Sequence, residues 1–375
     1  MKKTKLQNKI LLVVFIAIIL LPTLDSVFDF SPVKELFEKR KAITPPQLPQ
    51  SLYQLTRYPQ EFENFFNDNY GLRKSLIALH SAMMDKIFNE SPSARVAIGK
   101  NDWFYFDNYN SLLDAQGKAT ISDELINRGV EHFYQNWQMV KNNGMDYLLI
   151  IAADKASIYP EFLPDYIKAA SPHRIDKFLN ALKAKYPDFP VLDLRPILLK
   201  AKEKEIVYQQ TDTHWNRRGS HSAYIEIMKM LAKKDRRFVA NPRSKFKDIA
   251  NEYIRGDISD IMGTDNKNLN YELEPKFKET IYSISPTDEE KKKFHNVTIF
   301  ANDNKNLPRL FAYQDSYFGD LFRFVSQHFS YAFYTNQYPC DVNLENIKKY
   351  QPNVVIQEFW EGRVEVVLKS CGSKN

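Results

Sequence analysis

The sequence predicts an α/β protein, a mostly parallel sheet flanked by helices, with an N-terminal membrane anchor. Three observations carry that reading. Short unbroken apolar runs alternate with helical patterns from about residue 122 to residue 359. Runs of that kind are strands buried on both faces, and their alternation with helices argues parallel pairing. An apolar run, Ile10 to Leu21, follows four lysines. The composition, 43% hydrophobic and 26% charged, is that of a folding globular chain and excludes a disordered or collagen-like one. With 375 residues the chain can bury a core without staples, and its length allows two or three domains, although one large α/β domain would also fit.

Lys2, Lys3, Lys5 and Lys9 precede the apolar run, and Asp25 and Asp29 follow it. That asymmetry keeps the N-terminus in the cytoplasm and sends the remainder outward. The strictly apolar run has the length of a signal-peptide core. Counting from Ile10 through Phe28, with Pro22 tolerated near the far interface, gives a marginal span without a small-x-small cleavage site. Residues 1–30 are therefore expected to be an uncleaved signal-anchor, with a cleaved signal peptide as the alternative. Either reading places residues 30–375 outside the cytoplasmic membrane, and a single-pass inner-membrane protein would hold them in the periplasm.

The net charge is +6, but from residue 10 onward 48 Lys and Arg face 46 Asp and Glu, which leaves +2. Nucleic-acid binding, which needs a clustered basic face, gains no support. Two cysteines, Cys340 and Cys371, are too few for a zinc ribbon or a disulfide framework. Outside the cytoplasm they could pair or stay as thiols, and their spacing does not decide which.

In chain order, residues 31–60 read as a tether, interrupted by Pro32, Pro45, Pro46, Pro49 and Pro59. Residues 61–365 read as the main folded domain and 366–375 as a tail. Phe62 to Phe88 has helical periodicity, and Val96–Ile98 with Trp103–Phe106 reads as a hairpin. A helix from Asp123 stops at Asn142-Asn143-Gly144, before the strand Tyr147–Ala152. Helices near 172–185 and 196–205 flank a strand at Val191–Leu194. Ile206–Tyr208 reads as a further strand, and a helix is expected from Asn216 to Lys234. Residues 235–295 are polar and read as an irregular insertion. Strands are expected at 296–301, 309–313, 331–334 and 353–359, with helices from about Tyr317 and near 343–350. No Walker loop or G-x-G-x-x-G is present, and with 11 glycines a phosphate cradle is not expected.

Two segments could carry chemistry. In Gln210-Thr-Asp212-Thr-His214-Trp215-Asn216, an extended backbone would present Asp212 and His214 to one side. The carboxylate can then accept the Nδ1–H bond and leave Nε2 free as a base. The plainer reading is a polar loop with a solvated histidine. In Arg309-Leu-Phe-Ala-Tyr-Gln-Asp315-Ser316-Tyr317-Phe-Gly319-Asp320, a buried strand runs into a serine at a helix start. That is the geometry of an exposed nucleophile at the C-terminal edge of a parallel sheet. The backbone N–H groups of Ser316 and Tyr317 are candidate oxyanion donors. The plainer reading is that Asp315 or Ser316 merely caps the helix. Together the segments are more specific, because a serine needs a base and the base an orienting carboxylate. His80, His132 and His328 fall on helical patterns, and His173 and His295 lack an adjacent paired carboxylate. A metal reading would use Asp212, His214 and His221, but the spacing is not that of a familiar zinc site and no fourth ligand suggests itself. No metal is expected.

Thr211-Asp-Thr-His-Trp215 and Asp315-Ser-Tyr-Phe-Gly-Asp320 resemble the AlgJ/AlgX family, SGNH-hydrolase-like proteins of alginate and exopolysaccharide O-acetylation. Phe62-Glu-Asn-Phe-Phe-Asn-Asp-Asn-Tyr-Gly-Leu-Arg73, Val96-Ala-Ile-Gly-Lys-Asn-Asp-Trp-Phe-Tyr105 and Lys155-Ala-Ser-Ile-Tyr-Pro160 are similar to further family motifs, in the same order. The resemblance covers roughly residues 58–360 and implies an SGNH-like fold. It also implies O-acetylation of an exopolysaccharide through a serine acyl-enzyme, with Ser316 as nucleophile, His214 as general base and then acid, and Asp212 orienting His214. An acetylesterase of the same type and a non-catalytic polysaccharide-binding scaffold are the alternatives. For the scaffold, Trp103, Tyr105, Tyr109, Trp215 and Trp360 could stack on sugar rings. Two residues depart from the family pattern: Gln314 stands where a glycine commonly precedes Asp315, and Asp102 replaces a hairpin glycine. An AlgX-type carbohydrate-binding module is not expected. With no cofactor motif in this chain, the resemblance implies that a multi-spanning membrane O-acyltransferase supplies the acetyl groups.

Overall fold

Parallel strands covered on both sides must send alternate side chains into two separate cores, and the central sheet of this protein does so. The structure, a computed structural model, describes residues 2–33, 43–88, 90–264 and 266–372. Part of the expected tether (residues 34–42) and the end of the expected tail (373–375) lie outside them. The chain divides into two compact units, residues 1–96 with 257–266, and residues 97–256 with 267–375. The division thus falls at residue 96 rather than at residue 60.

In the second unit, β1 (Val96–Ile98) and β2 (Phe104–Phe106) form a hairpin, as the turn residues require. The main sheet has seven strands in the order β4-β3-β11-β9-β10-β8-β7. These are β3 (Asp146–Ala152), β4 (Val191–Asp193), β7 (Ile281–Ile284), β8 (Val297–Asn302), β9 (Arg309–Gln314), β10 (Tyr331–Asn336) and β11 (Val354–Trp360). From β4 to β10 every pairing is parallel, and β8 and β7 add an antiparallel edge. In β3, Leu148, Ile150 and Ala152 enter one core while Tyr147, Leu149 and Ile151 enter the other. In β9, Leu310 and Ala312 oppose Phe311 and Tyr313 in the same way. The first core is closed by helix Arg217–Ala232, started by Asn216, whose side chain accepts the N–H groups of Arg218 and Gly219. The second is closed by helix Asp123–Asn142, capped by Ser122, together with Arg174–Lys185 and Val364–Lys369.

Three expectations are corrected. Residues 235–295 are not irregular: β5 (Phe246–Arg255) pairs antiparallel with β6 (Lys267–Pro275), and β7 extends the main sheet. Among the residues of that two-stranded arm whose burial is described, Phe246 and Leu273 are the buried apolar anchors, and polar residues interrupt both strands. Ile206–Tyr208 is not a sheet strand. Val207 and Tyr208 are buried in the first core, where the Tyr208 hydroxyl donates to Ala153 C=O and its ring meets Tyr159, and Tyr208 makes an isolated bridge to Trp215 rather than a sheet ladder. The C-terminal segment is not a tail, since Val364–Lys369 is helical and Cys371 is disulfide-bonded to Cys340.

In the first unit, α1 (Lys2–Phe28) contains Leu6–Phe28, long and apolar enough to cross a membrane. The expected helix at 62–88 is interrupted. α2 (Leu52–Asn69) begins earlier, at the Ser51 cap, and runs through Pro59, so residues 52–60 are helix rather than tether. α3 (Arg73–Met83) comes after a corner at Tyr70–Leu72, where Leu72 adopts a left-handed φ of 64°. That conformation is unfavourable for leucine and is held by the Leu72 N–H, which donates to Asp25 Oδ2 at 2.6 Å.

The Cys340–Cys371 bond closes a separation of 31 residues. Closing a loop of that size removes unfolded-state entropy worth about 3–4 kcal/mol. The double substitution Cys340→Ser/Cys371→Ser should lower the urea-unfolding free energy by about that amount; an unchanged midpoint would show that the bond does not restrain the unfolded chain.

A second prediction concerns acid. Burial pushes both His221 and His328 down from 6.5 to about 4. The Tyr224 hydroxyl accepts from Asn241 N–H at 2.6 Å and therefore donates to His328 Nε2, 2.7 Å away. The unfolded chain binds protons that these folded histidines refuse, so their contribution is complete above pH 6.5 and is lost as pH falls toward 4. His328→Asn, which keeps an acceptor for Tyr224, should flatten the fall of the urea midpoint over that window. An identical slope in wild type and variant would refute the assignment.

Candidate active site

β9 lies between β11 and β10, and where it ends the chain turns into a short 3₁₀ helix, Ser316–Leu321. Asp315 caps that helix: its Oδ1 accepts the Tyr317 N–H at 3.0 Å. The cap is itself fixed, because Oδ2 accepts Trp360 N–H at 2.8 Å and lies 3.3 Å from Arg363 Nη1. The Asp315 N–H donates to Glu358 Oε2 on β11 at 2.9 Å. Burial, and then the Asp315 carboxylate beside it, push Glu358 well above the ordinary carboxylate range. Asp315 is buried and Ser316 exposed, so the turn holds the serine out from a rigid base.

The second segment is a loop whose ends are tied by Gln209 N–H to His214 C=O at 3.2 Å and by Asn216 N–H to Val207 C=O at 3.0 Å. Asp212 Oδ1 accepts twice from His214, from the backbone N–H at 2.9 Å and from Nδ1 at 2.7 Å. That carboxylate sets the tautomer: Nδ1 carries the proton, and Nε2 is left as an acceptor. His214 Nε2 lies 2.8 Å from Ser316 Oγ. The structure therefore brings Asp212, His214 and Ser316 into one hydrogen-bonded line. The other residue of the metal reading, His221, is buried with its Nε2 facing Asn241 C=O at 3.1 Å.

The oxyanion expectation needs one correction. The Tyr317 N–H, expected to face an oxyanion, donates to the Asp315 cap, whereas the Ser316 N–H has no acceptor among the described residues. Tyr317 acts through its side chain instead. Its hydroxyl donates to Thr213 C=O at 2.9 Å, and its ring packs 4.8 Å from His214 and 5.3 Å from Trp215. This one side chain fastens the histidine loop to the serine helix.

Sequence reasoning also missed the role of Lys155. It lies three residues beyond the end of β3 and is buried. Its Nζ donates to the carbonyls of Gln209 (3.1 Å), Gln210 (3.0 Å) and Asp212 (2.6 Å), and lies over the rings of Trp103 and Tyr105. An ammonium has three donors, and here all three go to the loop that presents Asp212 and His214. The Lys155-to-Pro160 motif was visible in the sequence, but nothing local told where the amine points. Gly256 adds to the packing, since any Cβ there would stand 2.2 Å from Thr211 C=O. Lys155→Met leaves three carbonyls without their donor. It should cut kcat on an activated ester on the order of 100-fold, the scale of a misplacement of about 1 Å, with KM nearly unchanged. Wild-type kcat in a folded Lys155→Met protein would show that other bonds hold the loop.

Among known proteins, the "SGNH hydrolase-like domain, acetyltransferase AlgX" family matches residues 96–305. A probable alginate O-acetylase AlgJ of Pseudomonas syringae pv. tomato is 27% identical over 179 residues, which are 48% of this chain and 44% of that protein. The chain thus spans under half the length of that curated relative. Bacillus cereus PatB1 with a sulfonyl adduct superposes with a TM-score of 0.53 at 13% identity, over 70% of this chain and 93% of that one. A DHHW family protein from Eubacterium siraeum superposes with a TM-score of 0.50 at 15% identity, over 73% and 97%. These two likenesses are of fold alone. The family match covers more than half of the sequence and includes the Asp212–His214 loop, and the chain belongs to the AlgJ/AlgX family of SGNH hydrolase-like proteins.

Proposed function

We propose that the protein is an O-acetyltransferase that acetylates an exopolysaccharide of the alginate type outside the cytoplasmic membrane, through an acetyl ester on Ser316. The observation that carries this reading is the unbroken line Asp212–His214–Ser316, with spacings of 2.7 and 2.8 Å. Such a line activates a serine for covalent catalysis. In the first half-reaction Ser316 Oγ attacks the carbonyl carbon of an acetyl ester while His214 Nε2 takes the Oγ proton. Asp212 stabilises the resulting imidazolium. The Ser316 N–H is placed to donate to the developing oxyanion. Collapse breaks the bond to the donor oxygen, which leaves with the proton from His214. In the second half-reaction a sugar hydroxyl gives its proton to His214 and attacks the acetyl carbon, and His214 returns that proton to Ser316 Oγ.

Family membership and the similarity to a probable alginate O-acetylase support the substrate class. The membrane-crossing length of α1 supports a single-pass anchor, and the four lysines ahead of its apolar run support the site being on the periplasmic side. Because acetyl-CoA is cytoplasmic, a membrane-spanning O-acyltransferase would deliver the acetyl group across the bilayer. An acetylesterase uses the same residues with water as acceptor.

Ser316→Ala should lower turnover of an activated acetyl ester by on the order of 10⁴, because the three side chains act as a unit. Mass spectrometry of the quenched wild type should find the acetyl group on Ser316. Product analysis with oligosaccharide present decides the acceptor: acetylated sugar supports transfer, and free acetate alone supports an esterase. Near-normal turnover by Ser316→Ala would exclude the mechanism.

A further inference from the structure

α2 is eighteen residues long and has no buried residue. Its sequence is nevertheless sharply two-sided. At 3.6 residues per turn, Leu52, Leu55, Phe62 and Phe66 share one face, with Tyr58 and Phe65 along its margin. Arg57, Gln60, Glu61 and Asn64 occupy the opposite face. The apolar face is open: Leu52 is 83% exposed, Leu55 54%, Phe62 46% and Phe66 53%. α3 continues the pattern. Leu76, Leu79 and Met83 share one exposed face, whereas Ser81, on another side of the helix, is buried. Apolar stripes of this extent are not left to water without a partner.

The corner between the two helices identifies that partner. Leu72 N–H and Ser31 N–H both donate to the Asp25 carboxylate at 2.6 Å, and Gly71 N–H donates to Ser26 Oγ at 2.9 Å. A Cβ at Gly71 would lie 2.1 Å from Pro22 C=O, so the corner is pressed against the last turns of α1. Asp25 is the first charged residue after the apolar stretch, which is where a spanning helix leaves the hydrocarbon. α2 and α3 therefore leave a point fixed at the level of the lipid headgroups. Their stripes have the composition of an interfacial helix, leucine and aromatic residues against a polar face.

We propose that α2 lies in the outer interface of the membrane that α1 crosses, its Leu52–Phe66 stripe sunk among the acyl chains and its Glu61–Asn64 face in water. α3 lays its Leu76–Met83 stripe at the same level. This rests on reading α1 as an anchor. The occupant is the bilayer itself, which makes α1 to α3 one membrane-bound unit rather than a span followed by a free tether.

The test uses the full chain in vesicles of phosphatidylethanolamine and phosphatidylglycerol. The native cysteines are disulfide-bonded, so a single introduced cysteine is the sole free thiol. Nitroxide labels are placed at Leu55→Cys, Phe62→Cys and Phe66→Cys, at Gln60→Cys, Glu61→Cys and Asn64→Cys, and at Ile16→Cys within α1. Each is scored for collisions with lipid-soluble oxygen and with a water-soluble nickel chelate. The proposal expects the oxygen-to-nickel ratio to be severalfold higher for the first set than for the second, with a period of 3.6 residues. A lipid signal at Ile16 with all six α2 sites open to nickel would overturn the interfacial helix and leave the anchor standing. A nickel-accessible Ile16 would overturn the anchor. α2 sites shielded from both reagents would mean that protein, not lipid, covers the stripe, and this too would overturn the proposal.

Discussion

Parallel pairing is the constraint on which the candidate site depends. Because β4, β3, β11, β9 and β10 all run in one direction, their C-terminal ends fall on a single edge of the sheet. The residues just beyond each strand are thereby placed side by side in space. After β3 come Asp154 and Lys155, after β9 Asp315 and Ser316, and after β11 Glu361 and Arg363. Residues separated by 161 positions, Lys155 and Ser316, thus serve the same loop and the same line of hydrogen bonds. Ligands bind in open α/β sheets where strand ends collect polar groups, and this edge is such a place.

Collecting charge on a buried edge has an energetic consequence. An ion removed from water costs several kcal/mol unless its donors or acceptors are met. Lys155 meets the requirement with three carbonyls, and Asp315 with two backbone N–H groups and Arg363. Glu358 and Asp154 respond differently. Burial and a neighbouring carboxylate push Glu358 far up, and burial with Glu361 nearby brings Asp154 to about 7. Glu358 and Asp154 therefore take up protons more readily than ordinary carboxyl groups, which lowers the cost of burying them. The Asp315 cap and the Asp212–His214 loop are rigid because each leaves few alternative bonds. A serine held by such a base needs little reorganisation to reach an attacking geometry.

The sheet was legible in the sequence where both faces are buried. Tyr147–Ala152 and Asn353–Phe359 read as strands from their short apolar runs, and in the sheet their alternate apolar residues feed two different cores. The β5–β6 arm was illegible for the converse reason: polar residues interrupt both strands, and Phe246 and Leu273 are the buried apolar anchors among its described side chains. Ile206–Tyr208 misled because burial of Val207 and Tyr208 in the core, outside any sheet ladder, leaves the same apolar trace as burial in a strand. The three residues of the hydrogen-bonded line were legible as motifs, since Asp-x-His and strand-Ser-helix are local patterns. Lys155 and the Tyr317 side chain were not, because what they do depends on which distant backbone they reach. The Tyr317 N–H defeats a general rule about helix starts: the Asp that makes Ser316 stand out also occupies that donor. The Cys340–Cys371 bond was undecidable, since sequence separation says nothing about the position of the Cβ atoms.

The exposure of Ser316 bears on which acceptor the proposed acyl-enzyme can use. An esterase and a transferase differ only in whether water or a sugar hydroxyl reaches the acetyl carbon first. A deeply enclosed serine would exclude water but would also exclude a polymer, whose chain has to lie across the site rather than enter it. Ser316 stands exposed at the sheet edge, with the His214 side chain 23% and the Asp212 side chain 17% accessible. Such an open site suits an extended acceptor. Under the proposed reaction, protection against hydrolysis would have to come from the acceptor itself: a polysaccharide laid over Ser316 would displace water from His214 and present a hydroxyl to the same nitrogen. If the protein is the proposed transferase, selectivity for sugar over water in such an open site would be a property of the occupied complex, with the polymer acting as both substrate and lid.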